Sequence, residues 1–134
     1  MGYKDDRVTV LSTARCWDLL REGRFGRLAY RLGNEVNLVP VNYAADGETL
    51  LFRTAEGDKL LGIVMNPDVV FEIDDHDEEG AHSVVVRGTA RRLEEDEEHR
   101  ADDIGMQSWL GTLKYNVVEI RPTAISGRAF RLEH

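Results

Sequence analysis

Cysteine is nearly absent from this sequence, and its scarcity restricts the class of protein. Cys16 is the single cysteine among 134 residues, so no disulfide can form within one chain. The sequence therefore gives no sign of an oxidising compartment. The charged stretch Lys4-Asp5-Asp6-Arg7 does not fit a signal peptide, which needs an apolar segment. We expect a cytoplasmic protein.

Long hydrophobic runs are also missing. No apolar run approaches the roughly 18 residues that a membrane-spanning helix requires, so we expect no membrane partner. The length fits one domain rather than two, and we expect that domain to span residues 1–131. The triplet Leu132-Glu133-His134 is similar to the start of a vector-encoded histidine tag, so we expect natural sequence to stop near Arg131.

Basic residues are in deficit, with 17 Lys and Arg against 25 Asp and Glu and a net charge of −8. The segment up to Pro67 has nine residues of each sign, whereas the remainder has eight basic and 16 acidic residues. Binding to a nucleic-acid backbone depends on clustered Lys and Arg. The sequence therefore predicts no nucleic-acid partner, and it places most acidic residues on a solvated surface.

Short segments rich in β-forming residues make up most of the chain. The turn signals Gly33-Asn34 and Asp46-Gly47 separate the first three of them. Helical spacing predicts one amphipathic helix over 11–22, capped by Ser12, a short helix over 57–66, and a weakly helical segment over 94–104. The predicted strands cover 25–30, 36–43, 49–54, 69–74, 83–90 and 117–130, the last one bent near Pro122.

This order of elements predicts a mainly β fold, namely a six-stranded antiparallel barrel with a few helices. Closure into a barrel removes the exposed edges that a flat sheet would leave. A doubly wound parallel sheet is disfavoured, because the connections between the first three strands are too short for crossover helices.

A candidate anion site lies where the third strand ends and the next helix begins. Arg53 and Thr54 end the strand, Gly57 supplies a turn, and Lys59 lies at the start of the helix. Two cations, a hydroxyl and the free N–H groups of a helix N-terminus can converge on one phosphate. The same residues also fit a solvated strand-turn-helix without any ligand.

Other candidate residues have simpler explanations. Trp17 on the apolar face of the first helix is predicted to be core. Cys16 is predicted to be an inert small hydrophobe, since no cationic neighbour suggests a lowered pKa. The acidic stretch 74–79 lacks the ligand spacing of a metal site, so we predict none. No Ser-His-Asp or Cys-His constellation is visible, so we do not predict hydrolysis.

Several short motifs together resemble a known family. They are Asn37 through Tyr43, Asp46-Gly47, the stretch from Leu51-Phe52-Arg53-Thr54 through Gly57 to Lys59-Leu60, Gly26 through Ala29, Val69 through Asp74, Val84 through Ala90, Ile120-Arg121-Pro122 and Ile125 through Arg128. The sequence is similar over most of its length to the pyridoxamine 5'-phosphate oxidase-like family. That resemblance implies a split barrel of the FMN-binding type and a homodimer with FMN in a groove at the dimer interface.

The resemblance also implies the residues of a cofactor site. Leu38, Val39, Pro40 and Val41 would lie along the isoalloxazine ring with their backbone groups at its polar edge, and Asn42 would reach the same ring. Arg53, Thr54 and Lys59 would hold the phosphate, as the residue pattern suggests independently. Trp109 would cover the ring of the flavin bound mainly by the partner subunit.

One position departs from the family pattern. Asp58 stands where relatives often carry a small hydroxyl residue, and a carboxylate there would repel a phosphate or instead cap the helix. Two classes of function therefore stay open. The first is an FMN-dependent oxidoreductase acting on a small-molecule substrate, with a nicotinamide donor or a partner reductase. The second is a non-catalytic dimer that binds or senses a flavin, a deazaflavin or haem. Pyridoxamine phosphate oxidation itself is not expected, because no second Arg-rich cluster is present.

Overall fold

The computed structural model describes residues 7–55, 57–106 and 116–131. In chain order the elements are β1 (Val8–Val10), α1 (Thr13–Glu22), β2 (Phe25–Leu32), β3 (Glu35–Asp46), β4 (Thr49–Thr54), α2 (Asp58–Met65), β5 (Asp68–His76), β6 (Gly80–Arg92), a short 3₁₀ helix (Glu95–Glu97), α3 (His99–Asp103) and β7 (Asn116–Arg131). No helix among these residues is long and apolar enough to cross a membrane.

The strands form one antiparallel sheet that closes into a ring. Its order is β1-β7-β4-β3-β2-β5-β6, and β6 pairs again with β7. The six predicted strands form the closed ring, so the predicted barrel is confirmed. The seventh strand, β1, was not predicted, because three residues are too few to show an alternating pattern. It pairs with the end of β7, where Val8 lies opposite Phe130.

Local sequence features explain where the elements begin and end. The Ser12 side chain accepts a hydrogen bond from the backbone N–H of Arg15 at 3.1 Å, which is the predicted cap of α1. Gly33 and Gly47 have φ values of 61° and 59° in the tight turns that join β2 to β3 and β3 to β4. In β7 the pairing with β6 shifts register beside Pro122, and the Thr123 hydroxyl donates to the carbonyl oxygen of Arg87 at 3.1 Å.

The main hydrophobic core fills the ring. Phe52 and Phe71 are its largest fully buried side chains, α1 covers it with Leu20, and α2 covers it with Ile63. Trp17 is only partly buried at the edge of this core, where the Arg21 guanidinium lies 5.4 Å from its ring centre. A second small cluster consists of Leu51, Leu93, Ala101 and Val117, and it attaches α3 to the outside of the barrel.

The ring has a split between β3 and β4. These strands pair from Asp46–Thr49 to Tyr43–Phe52, and the ladder ends there. Within the described ranges, the part of β3 before Tyr43 pairs only with β2, while Arg53 and Thr54 of β4 pair only with β7. The split therefore separates residues 35–42 of β3 from the end of β4.

Candidate functional site

The first wall of the split is the segment of β3 that we expected to contact a flavin ring. Leu38, Pro40 and Asn42 face outward and are exposed, with 67% of Leu38 accessible, whereas Val41 faces the core. Val39 faces inward with Val41 and is partly buried. Among the described residues, only β2 pairs with this segment, so the backbone N–H and C=O groups of its other edge face the split.

The second wall is the end of β4. Continuing the ladder by one step beyond Tyr43–Phe52 would place Arg53 opposite Asn42, but the strands separate at this point. The structure therefore brings the predicted ring residues of β3 and the predicted phosphate residues Arg53 and Thr54 to opposite sides of one split. The two-residue turn between β3 and β4 fixes the register of this hairpin.

Arg53 already has partners within the protein. Its Nη1 donates to the carbonyl oxygen of Met106 and its Nη2 donates to Oδ1 of Asp102, both at 2.8 Å. The Arg53 side chain is 17% exposed, while that of Asp102 is 76% exposed. Sequence reasoning missed both partners, because Asp102 is one of many acidic residues in a weakly patterned segment. It is about fifty residues from Arg53 and is brought there only by the tertiary fold.

The other predicted phosphate residues differ in what surrounds them. Thr54 is buried, and its hydroxyl donates to the carbonyl oxygen of Ala55 at 3.1 Å. Lys59 is the second residue of α2, close after β4. Gly57 occupies the N-cap position of α2, so Asp58, which was one candidate for this cap, is instead the first residue of the helix. Trp109 lies outside the described residues.

A groove of about 470 Å³ lies beside the first wall. It is bounded by the C-terminal end of α1, the C-terminal part of β3 and the segment after α3. Its lining residues include Asn42 and Met106, the latter being a partner of Arg53. Among the described residues, Arg21 and Arg24 are the charged residues of the lining, and none of the lining side chains is acidic. In a chain of net charge −8, this arrangement favours anions locally.

A larger groove of about 720 Å³ lies elsewhere, between α1, β1 and the turn that joins β5 to β6. None of the predicted site residues that the structure describes lines it. Arg7, Arg15 and Arg131 line it together with acidic side chains that include Asp75 and Glu79, so it has no single sign of charge. Within the described ranges, no group of three His, Cys, Asp or Glu residues is arranged to hold a metal ion.

A network of ion pairs fixes α3 next to the site. The Glu119 side chain is 3% exposed, and its carboxylate binds Nε of Arg91 at 3.0 Å and Nη1 of Arg100 at 2.7 Å. Arg100 also binds Asp46 at 2.7 Å. The hydrogen bond from Arg91 lowers the pKa of Glu97 to about 2. These bonds attach the segment 94–103 to β3, β6 and β7, and so place Asp102 beside Arg53.

The outer face of β2, β3 and β5 carries both apolar and charged side chains. Phe25, Val36 and Leu38 are exposed on it. Arg27 donates from Nη1 to Glu72 at 2.9 Å and to Asp74 at 2.7 Å. Burial and the hydrogen bond to Asp74 raise the pKa of Glu72, while the hydrogen bond from Glu72 lowers the pKa of Asp74.

The ring of six strands, its split and the helix that follows the split define a split-barrel protein with a candidate cofactor groove. The family model for pyridoxamine 5'-phosphate oxidase matches residues 12–129. This chain therefore belongs to the pyridoxamine 5'-phosphate oxidase-like family, as the sequence motifs indicated.

Several relatives support the assignment. The FAD binding protein from Mycobacterium smegmatis is 41% identical, with a TM-score of 0.81 over 93% of this chain and 100% of that one. A FAD-binding protein from Mesorhizobium loti is 27% identical, with a TM-score of 0.77 over 91% and 97% of the two chains. The uncharacterised Mycobacterium tuberculosis protein Rv3129 is 43% identical over 86 residues, which are 63% of this chain and 78% of that protein.

Proposed function

We propose that this chain binds FMN in the split between β3 and β4 and acts as a flavin-dependent oxidoreductase on a small-molecule substrate. The observation that carries the proposal is the position of Arg53 across the split from the open edge of β3. A flavin has a planar ring with polar edges and, as FMN, a terminal phosphate. The two walls offer groups that suit each end of such a molecule.

The ring would lie along β3. Backbone groups between Leu38 and Asn42 supply donors and acceptors at fixed spacing, and strand edges that lack a partner strand readily accept another hydrogen-bonding group. The Asn42 side chain is exposed on the same face and offers both a donor and an acceptor. Bound flavin would supply the electron chemistry, whereas the protein orients it and sets its electrostatic environment.

The phosphate would lie at the end of β4. Arg53 offers a planar set of N–H donors, Thr54 lies next to it, and the first turn of α2 brings Lys59 and free backbone N–H groups. The names of the two solved relatives given above support a flavin as the cofactor. They name FAD, so a binding experiment has to compare FMN with FAD.

A homodimer is part of the proposal. Phe25, Val36 and Leu38 are exposed apolar side chains on the face that contains the ring-binding segment. Exposed groups of this kind favour association, and a second copy would enclose the ring. In such a dimer Trp109 would come from the partner subunit, as the family resemblance implies.

Titration of flavin fluorescence tests the cofactor and the phosphate residues together. Arg53→Ala and Lys59→Ala should each weaken FMN binding about ten- to a hundred-fold, since a charge-assisted hydrogen bond contributes about 1.5–3 kcal/mol. Riboflavin lacks the phosphate, so its affinity should stay unchanged. Arg31→Ala, an exposed arginine on β2, is the matched control. Wild-type affinity for FMN in both variants would contradict the phosphate assignment.

A second candidate function is a non-catalytic dimer that binds or senses a flavin, a deazaflavin or haem. It is favoured by the engagement of Arg53 with Asp102, which lowers the positive charge available to a phosphate. Reduction by NADPH or NADH separates the two functions. An enzyme's flavin should be reduced, directly or through a partner reductase, and reoxidised by a substrate, whereas a binding protein's flavin need not turn over.

A further inference from the structure

Asp102 and the proposed phosphate would use the same cation. The Asp102 carboxylate accepts a 2.8 Å hydrogen bond from Nη2 of Arg53, and the second bond of that guanidinium, from Nη1, goes to a backbone carbonyl group, that of Met106. A carboxylate is the protein group that most resembles a phosphate in its preference for a guanidinium. Asp102 therefore occupies part of the donor set that a phosphate would need.

The Asp102–Arg53 bond is not what holds α3 in place. Arg100, on the same helix, binds Asp46, Glu119 and the hydroxyl of Thr49. The helix is also attached to the barrel through the buried Ala101. Removal of the Asp102 charge should therefore leave α3 where it is and change only the environment of Arg53.

We propose that Asp102 competes with the ligand phosphate for Arg53 and thereby sets the affinity of this site for phosphorylated ligands. The proposal rests on the proposed function, in which Arg53 binds the phosphate. Because the Asp102 side chain is 76% exposed, its ion pair with Arg53 is screened by solvent and weak. A phosphate dianion presents three acceptor oxygens and forms stronger hydrogen bonds to a guanidinium, so it can displace the carboxylate.

Because Asp102 competes for Arg53, the site binds a phosphorylated ligand more weakly than it would without the Asp102 charge. Asp102→Asn keeps the size of the side chain and removes its charge. Asp103→Asn is a matched control, since Asp103 is the next residue of α3 and is similarly exposed. Among the described residues, Asp103 forms its ion pair with His99, at 3.9 Å, and not with Arg53. Both variants change the net charge equally, so a difference between them reports on the contact with Arg53.

Two probes are needed, inorganic phosphate and FMN. Chemical-shift titration of the Arg53 side chain measures phosphate affinity without any flavin, and fluorescence titration measures FMN and riboflavin affinity. We expect Asp102→Asn to bind phosphate and FMN about two- to five-fold more tightly than Asp103→Asn, the change that corresponds to an exposed ion pair. Riboflavin affinity should be equal in the two variants. The double variant Arg53→Gln/Asp102→Asn should lose the gain.

The outcomes separate this inference from the proposed function. A gain with phosphate in a protein that binds no flavin would support the competition and contradict flavin binding. Equal or weaker phosphate and FMN affinity in Asp102→Asn, compared with Asp103→Asn, would overturn the competition. If FMN still binds in that case, the proposed function stands and Asp102 positions Arg53 instead.

Discussion

Replacing Tyr43 by Phe would remove a buried hydroxyl that donates a 2.7 Å hydrogen bond to the carbonyl oxygen of Leu20. Leu20 is in the last turn of α1, where carbonyl groups lack partners within the helix. The variant leaves this carbonyl unpaired in the core, at a cost of about 1–3 kcal/mol near neutral pH. The ring of residue 43 stays packed edge-on against Phe71, where the two centroids lie 4.8 Å apart.

The same hydroxyl makes stability depend on alkaline pH. Burial raises the pKa of Tyr43 from 10.0 to about 12. Between these values the unfolded chain loses the proton while the native protein keeps it. The stabilisation by neutral Tyr43 is therefore fully present below about pH 10 and is lost as pH rises towards 12. The pKa of Tyr43 differs by about two units between the native and the unfolded protein, which corresponds to about 3 kcal/mol of unfolding free energy.

Urea denaturation followed by far-ultraviolet circular dichroism measures both effects. The wild type should be more stable than Tyr43→Phe near neutral pH, and the difference should narrow progressively above about pH 10 because only the wild type must ionise this group on unfolding. Comparison with the variant removes the contribution of all other titrating groups. A difference that stays constant up to about pH 12 would refute the assignment of the raised pKa to this buried hydroxyl.

Two further substitutions test the framework around the site. Glu119→Gln should lower the free energy of unfolding by about 1–2 kcal/mol, because it removes the buried counter-charge of Arg91 and Arg100, which keep only their more exposed partners Glu97 and Asp46. Urea midpoints of this variant and of Glu48→Gln, an exposed control, check the expectation, and equal midpoints would be inconsistent with it. Gly26→Ala should cost about 1–3 kcal/mol, because its Cβ would overlap the Phe71 ring and lie 2.8 Å from the carbonyl oxygen of Glu72. An unchanged melting temperature of the variant would contradict this expectation, since it would mean that β2 and β5 move apart to admit the methyl group without loss of stability.

The elements that the sequence predicted well are those with strong local signals. β2 and β3 alternate in polarity, β4 has an apolar centre, and the three strands are joined by Gly-containing turns, so their pairing and register follow from neighbouring residues. The helix capped by Ser12 and the hairpin of β5 and β6 were recognised for the same reason. The boundaries of β5 and β6 were set too short, since Asp75 and His76 continue β5 and residues 80–82 continue β6 through the stretch that was predicted to be a polar connection.

The parts that were not predicted depend on contacts between distant residues. The strand β1 exists through pairing with residues 128–130 of β7. Asp102 meets Arg53 because Glu119 and Arg100 hold α3 against the barrel, and no local pattern marks these residues as partners. For the candidate site, the sequence thus identified residues along the strand ends but not the side chains that reach them from another part of the chain.

The pairing of β7 bears on how the protein folds. This strand forms ladders with β1, β4 and β6, so the ring cannot close until residues 116–131 are available. Contacts such as Val8 with Phe130 join residues far apart in sequence, and such topologies fold slowly, on the order of milliseconds to seconds. During synthesis, β2 to β6 would leave the ribosome as an open sheet with exposed edges. Closure of the barrel, and with it the second ladder of β4, then waits for the synthesis of residues 116–131.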